Sequence, residues 1–222
     1  MTTLFSDDFI DRPRREVAPG ATHVPGWLTL AQQRWVIGQF RQWVGGPVPL
    51  RAAKVRDHEM SVRTLCLGWH WQPYKYTREA TDVNGNRVLD FPDWMVRVAR
   101  RAVVDVRGDA RAGDDYAPDA ALVNFYDDAA RMGMHQDRDE RSLASVVSLS
   151  IGDTCQFRFG NTTNRHRPYE DLNLASGDLF VFGGDSRLAY HGVTKTYPGT
   201  APPDCGLESG RVNITIRETG MS

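Results

Sequence analysis

From about residue 119 the chain changes its period. Residues 120–126, 145–151, 155–159, 179–182, 188–192 and 211–218 are short runs rich in β-branched and aromatic side chains. Turn residues divide them: Gly152-Asp153, Ser176-Gly177-Asp178 and Gly183-Gly184. Many short strands with regular turns predict a sandwich or barrel such as a jelly roll.

The first half reads differently. Thr29 is placed to cap a helix whose stripe is Val36, Ile37, Phe40, Trp43 and Val44, and Gly45-Gly46 ends it. Asp90 and Pro92 open a second helix with Met95, Val98, Ala99 and Ala102 on one face. Between them residues 62–67 read as a strand, followed by Trp69, Trp71, Tyr74 and Tyr76 and the hairpin signal Asn84-Gly85. These aromatics fit either a core or a stacking platform. Residues 1–26 lack periodicity and read as a solvated arm; Met1–Asp11 is acidic and unlike a signal peptide. Residues 107–119 form the best candidate boundary. At 222 residues the chain suits one sizeable core.

Of the six histidines, only His135 has an acid two residues on, at Asp137. In an extended strand such a pair lies on one face and can take adjacent positions on a metal. His191, at the end of a strand-like run, is a candidate third ligand. Two His and one carboxylate form the facial set of non-haem Fe(II) oxygenases.

The last strand adds to this. Arg211, Asn213, Thr215 and Arg217 share one face, and Val212, Ile214 and Ile216 the other. On a half-exposed strand the polar face meets solvent. Alternatively, two arginines grip a dicarboxylate through paired hydrogen bonds. Asn124 and Tyr126 repeat the spacing with an amide and a phenol.

The motifs Asn124-Phe125-Tyr126, Met134-His135-Gln136-Asp137-Arg138-Asp139-Glu140, Ser186-Arg187-Leu188-Ala189-Tyr190-His191-Gly192 and Arg211-Val212-Asn213-Ile214-Thr215-Ile216-Arg217 occur in this order. Together they resemble the AlkB family of Fe(II)- and 2-oxoglutarate-dependent dioxygenases that repair alkylated nucleic-acid bases.

The resemblance implies an α+β fold: a double-stranded β-helix (jelly-roll) core, flanking N-terminal helices and an aromatic β-hairpin lid. It implies one dioxygenase domain over residues 1–222, with helices and lid in 1–118 and the catalytic core in 119–219. His135, Asp137 and His191 would bind Fe(II). Arg211 would pair with the distal carboxylate of 2-oxoglutarate and Arg217 with the end near the metal. Asn124, Tyr126 and Asn213 would add hydrogen bonds, and O₂ would be the second co-substrate. Asp139 matches an acid that contacts the damaged base. Trp69 and Tyr74 or Tyr76 match the lid that stacks on a flipped base. Arg158, Arg165 and Arg167 lie near enough in sequence for phosphate contacts.

The expected activity is demethylation of bases such as 1-methyladenine or 3-methylcytosine in DNA, with RNA as another polymer, by a cytoplasmic monomer. A related oxygenase acting on RNA, protein or a small molecule would share the iron site and differ in the lid. A non-catalytic jelly-roll module would not need both arginines beside the metal set. Three scattered cysteines exclude a disulfide framework, a net charge of −1 argues against binding nucleic acid by bulk charge, and no apolar run is long enough for a membrane helix.

Overall fold

The structure, a computed structural model, describes residues 12–55 and 58–221; the expectation for Met1–Asp11 lies outside them. Strands β1 (Arg15–Ala18) and β2 (Ala21–Val24) precede helix α1 (Leu30–Val44). Strands β3 (Arg51–Val55), β4 (His58–Leu67), β5 (His70–Gln72) and β6 (Lys75–Thr77) come next, then helices α2 (Asp93–Arg107) and α3 (Ala110–Asp114). The remainder is β7 (Ala120–Tyr126), β8 (Met132–His135), β9 (Val146–Gly152), β10 (Thr154–Gly160), β11 (Tyr169–Leu174), β12 (Leu179–Phe182), β13 (His191–Tyr197) and β14 (Arg211–Arg217).

Helix α1 starts where expected because Thr29 and Gln32 cap each other. Thr29 Oγ1 accepts from the Gln32 N–H, and Gln32 Oε1 accepts from the Thr29 N–H at 2.8 Å. Helix α2 stops at Gly108, whose φ of +69° allows its N–H to donate to the Val104 carbonyl.

The strands form a jelly roll. One sheet runs β1-β2-β12-β9-β14-β7-β4-β3, and the smaller runs β11-β10-β13-β8. Helices α1 and α2 cover the outer face of the larger sheet, where Ile37, Phe40, Met95 and Ala99 pack with Val212, Ile214 and Ile216. A second core, including Phe157, Phe159, Phe180 and Phe182, lies between the sheets. β14 is therefore buried on both sides, and its polar row points inward rather than to water.

Four sequence expectations change. The larger sheet takes in β1 to β4, so it crosses the boundary placed at residue 119. Residues 15–24 are paired strands, not a solvated arm. The strand expected over 188–192 starts only at His191. β8 ends at His135, so strand alternation does not align His135 with Asp137; the two meet through the turn that follows.

The N-terminal strands are held by Asp178, whose side chain is fully buried. It accepts two bonds from Arg12 at 2.7 and 3.0 Å, one from His23 Nε2 at 2.8 Å, and the N–H groups of Gly26 and Ala175 at 2.9 Å each. Burial opposes its charge, but these donors outweigh it and lower its pKa. Because the folded pKa is depressed, this contribution is complete above the ordinary aspartate value of 3.8 and is lost as pH falls through the lowered one. Asp178→Ala should cost roughly 3 kcal/mol by urea unfolding, since it strands His23 and buried N–H groups. A loss below about 1 kcal/mol would show that other contacts hold these strands.

Candidate active site

His135 and His191 are register partners at the junction of β8 and β13. Gly192 permits this: a Cβ there would stand 2.5 Å from the Met132 carbonyl oxygen. Each imidazole is oriented from behind, His135 Nδ1 donating to Gly133 O and His191 Nδ1 to Ala189 O, both at 2.9 Å. A carbonyl only accepts, so the proton belongs on Nδ1 and the Nε2 lone pair is directed forward. The Asp137 carboxylate lies between them, 3.5 Å from His135 Nε2 and 3.8 Å from His191 Nε2. One ligand atom from each residue lies within 4.8 Å of the others. Two imidazole Nε2 lone pairs and a carboxylate facing one point suit Fe(II).

Asp137 is buried and ionised. Burial would raise its pKa, but Arg217, His191 and His135 hold it well below the carboxylate range. His191 is pushed down to about 4 by burial and by the neighbouring His135. Burial also opposes charge on His135, yet the hydrogen bond and attraction to Asp137 prevail and raise its pKa.

The two arginines of β14 differ sharply. Arg217 donates to Asp137 Oδ2 at 2.9 Å and to Glu140 Oε1 at 2.7 Å, so its charge is already matched inside the protein. Of its donors, Nε has no partner among the described residues. Arg211 is 1% exposed and meets no carboxylate among the described residues. It donates to Ser150 Oγ at 2.8 Å and, at longer range, to the carbonyls of Leu174 and Asp153, and its buried Nε has no partner among the described residues. A buried guanidinium without a counter-charge is costly, and a ligand carboxylate is the natural complement. The sequence expectation of one role for each end of the co-substrate therefore holds more room at Arg211 than at Arg217, whose first duty is to Asp137.

Asn124 Oδ1 accepts from Thr64 Oγ1 at 2.7 Å, which leaves its NH₂ group to donate. Tyr126 is buried, and its hydroxyl faces Met132 Sδ at 3.8 Å. Asn213 spends its NH₂ on Ser148 Oγ and Leu149 O at 2.8 and 3.1 Å. All three line a cavity of about 490 Å³ together with His135, Asp137, His191, Arg211 and Arg217.

The lid is rearranged relative to expectation. β5 and β6 form a two-stranded ribbon in which Trp71 pairs with Tyr76. Trp69 does not line the cavity: its Nε1 donates to Asp119 at 3.0 Å and the Arg78 guanidinium lies 3.7 Å over its ring. Tyr76 is buried and donates to Glu140. Tyr74 does line the cavity, at the ribbon tip, 63% exposed and with a φ of +75° that is unfavourable for a residue with a Cβ. Trp71, a candidate platform aromatic not among those matched to the lid, lines the cavity and donates through Nε1 to Asp139 Oδ2 at 2.9 Å. The match to Trp69 does not hold because Trp69 stands in the bend after Gly68 (φ +76°), before the ribbon starts at His70.

Glu140 and Arg187 were missed as a pair. Both are buried, 3.1 Å apart, and Arg187 also donates to the Asp137 carbonyl. Their signal was present in the motifs that hold them, where a charged residue next to a metal ligand has to be neutralised if it is buried. Arg158 is committed to Asp171 through two bonds at 2.7 Å, whereas Arg165 lines the cavity.

Comparison with known proteins gives a consistent result. The profile of the 2OG-Fe(II) oxygenase superfamily matches residues 20–217. The chain is 50% identical to the Caulobacter vibrioides alpha-ketoglutarate-dependent dioxygenase AlkB homolog, covering 90% of this chain and 88% of that one. It is 30% identical to the Arabidopsis thaliana DNA N(6)-methyladenine demethylase ALKBH1C over 91% of this chain. It spans 49% of that relative and 40% of the related ALKBH1D, about half the length of these plant proteins. A solved structure of OsALKBH1 superposes with a TM-score of 0.83 at 31% identity, covering 93% of this chain and all of that one.

Below the raised pKa of His135, where its Nε2 must give up a proton before it can bind, metal uptake should release about one proton per ion, none of it from His191. Affinity for a divalent ion such as Co(II) should fall about tenfold per pH unit below the raised pKa of His135. Calorimetry in two buffers of different ionisation enthalpy measures both quantities. An affinity flat between pH 6 and pH 8 would contradict this protonation pattern.

Proposed function

The chain belongs to the 2OG-Fe(II) oxygenase superfamily and, within it, to the AlkB family, and we propose that it removes N-methyl groups from bases in nucleic acid. The observation that carries the reading is the cavity itself. It brings the two-His, one-carboxylate set, an uncompensated buried arginine, the aromatic side chains of Trp71 and Tyr74 and a partly free carboxylate to one place.

His135, Asp137 and His191 would hold Fe(II), with Arg217 keeping Asp137 ionised and aimed. 2-Oxoglutarate would lie with its distal carboxylate on Arg211, where Nε and the Nη groups offer paired donors. The Asn124 amide and Tyr126 hydroxyl would donate to it. Bound Fe(II) supplies the oxidation, coupling decarboxylation of 2-oxoglutarate with O₂ to hydroxylation of the methyl carbon, which then leaves as formaldehyde.

The remaining work belongs to the protein. A base within a duplex cannot reach this cavity, so it has to leave the stack and gain a replacement surface. Trp71 and Tyr74 supply that surface. Asp139 offers an acceptor to the exocyclic amine of 1-methyladenine or 3-methylcytosine and attracts the positive charge of these lesions. Arg138, exposed at the rim, and Arg165 are the cations placed to meet phosphates.

DNA is the preferred polymer in this reading; among relatives that carry a substrate in their names are DNA N(6)-methyladenine demethylases and a tRNA demethylase of Schizosaccharomyces pombe. A monomer suffices, because every element of the site comes from one chain. Three buried, unpaired cysteines fit a cytoplasmic, reducing setting. No described helix is long and apolar enough to cross a membrane.

Incubation of a 3-methylcytosine oligonucleotide with the protein, Fe(II), ascorbate and 2-oxoglutarate should yield cytosine, read by mass. Turnover of 2-oxoglutarate without loss of the methyl group from any modified oligonucleotide would point to a different substrate class. His135→Ala and Asp137→Ala should abolish the reaction. Arg211→Ala should raise the 2-oxoglutarate concentration needed for half-maximal rate by about a hundredfold, the value of a lost buried charge pair; an unchanged requirement would remove Arg211 from the co-substrate site.

A further inference from the structure

Asp139 lies in the irregular segment after β8, where a side chain ordinarily samples several rotamers. Among the described residues its one hydrogen-bond partner is Trp71 Nε1, which donates to Oδ2 at 2.9 Å; Oδ1 accepts from none of them. Both residues line the cavity.

Trp71 is itself braced. Its N–H donates to Cys66 Sγ at 3.4 Å, and its carbonyl accepts from Arg51 Nη2 at 3.3 Å. Arg51 also pairs with Asp82 at 2.9 Å, and Asp82 pairs with the buried His70 at 2.6 Å, one residue before Trp71. Across the ribbon, its partner Tyr76 is tied to Glu140, the residue following Asp139. The backbone of Trp71 is thus held on both sides, and its indole N–H is the contact that orients the Asp139 carboxylate.

We infer that Trp71 determines base specificity by holding the Asp139 carboxylate so that one acceptor oxygen faces the bound base. This rests on the demethylase reading above and assigns to one N–H the choice among modified bases. 3-Methylcytosine carries an amino group beside its methylated nitrogen, and 3-methylthymine carries a carbonyl there. The amino group donates to the free oxygen of Asp139. The carbonyl sets lone pairs against a carboxylate that cannot swing aside, leaving both acceptors unmatched. If Asp139 were untethered it would rotate away, and the penalty on the carbonyl base would fall. Trp69 is the internal comparison, since its N–H serves Asp119 outside the cavity.

Two single-stranded oligonucleotides, identical except for 3-methylcytosine or 3-methylthymine, test this through the ratio of their kcat/KM values. Trp71→Phe keeps an aromatic surface and removes the donor; it should lower the ratio about tenfold, mostly through KM. Asp139→Asn should lower it at least as far, and the double variant no further than Asp139→Asn alone. Trp69→Phe should leave it within about twofold, the spread expected of a residue outside the site. Equilibrium binding of the same oligonucleotides to metal-free protein should show the same loss of preference, independently of turnover. A ratio that Asp139→Asn lowers and Trp71→Phe does not would overturn the inference and leave the functional reading intact, as would an equal drop in Trp69→Phe. Failure of the unmodified protein to demethylate either base while it consumes 2-oxoglutarate would overturn the functional reading, and this inference with it.

Discussion

A row of polar side chains buried in the middle of an eight-stranded sheet has to find partners, and the rest of this site follows from that requirement. The apolar side of β14 packs beneath α1 and α2, so Arg211, Asn213, Thr215 and Arg217 are forced into the space between the sheets. Neighbouring strands meet most of the demand. Ser148 and Ser150 of β9 accept from Asn213 and Arg211, and Leu122 of β7 accepts from Thr215. The two guanidinium charges remain, and the protein treats them differently.

Arg217 is answered by Asp137 and Glu140, and Glu140 is answered in turn by Arg187 and Tyr76. This chain of contacts ties the metal-binding turn to the ribbon above it, so the ligand carboxylate is held before any ion arrives. Such prior ordering lowers what binding has to spend on fixing side chains. Among the described residues Arg211 has hydroxyl and carbonyl partners but no acid, which leaves a net positive charge in the cavity wall. The folded protein tolerates that charge at a cost, and an anionic co-substrate relieves it.

Much of this was legible in the chain. β7, β12 and β14 and both long helices follow from period, caps and turns, because each of those signals is local. The metal set was legible because His135, Asp137 and His191 lie within recognisable motifs. What sequence could not show is which of several nearby aromatics faces inward. Trp69 and Trp71 are two residues apart and would share a face in a continuous strand, but Trp69 stands in the bend after Gly68 and only Trp71 lies in β5, so one meets Asp119 and the other Asp139. Pairing among buried charges was hidden for a similar reason: whether Arg217 meets a ligand or Glu140 depends on a turn without period. The N-terminal strands were missed because each is only four residues long and is held by Asp178, more than 150 positions away.

In the proposed function Arg211 is the complement of a second carboxylate on an acid chelated at the histidine-carboxylate set. Anaerobic titration of the Fe(II)-loaded protein measures this directly, through the visible charge-transfer absorption that a 2-oxo acid produces on chelating Fe(II). 2-Oxoglutarate and pyruvate carry the same chelating group, and only the first has a distal carboxylate. Half-saturation should need about a hundredfold less 2-oxoglutarate than pyruvate, and Arg211→Ala should erase most of that difference. Equal half-saturation by the two acids in the unmodified protein would contradict the claim.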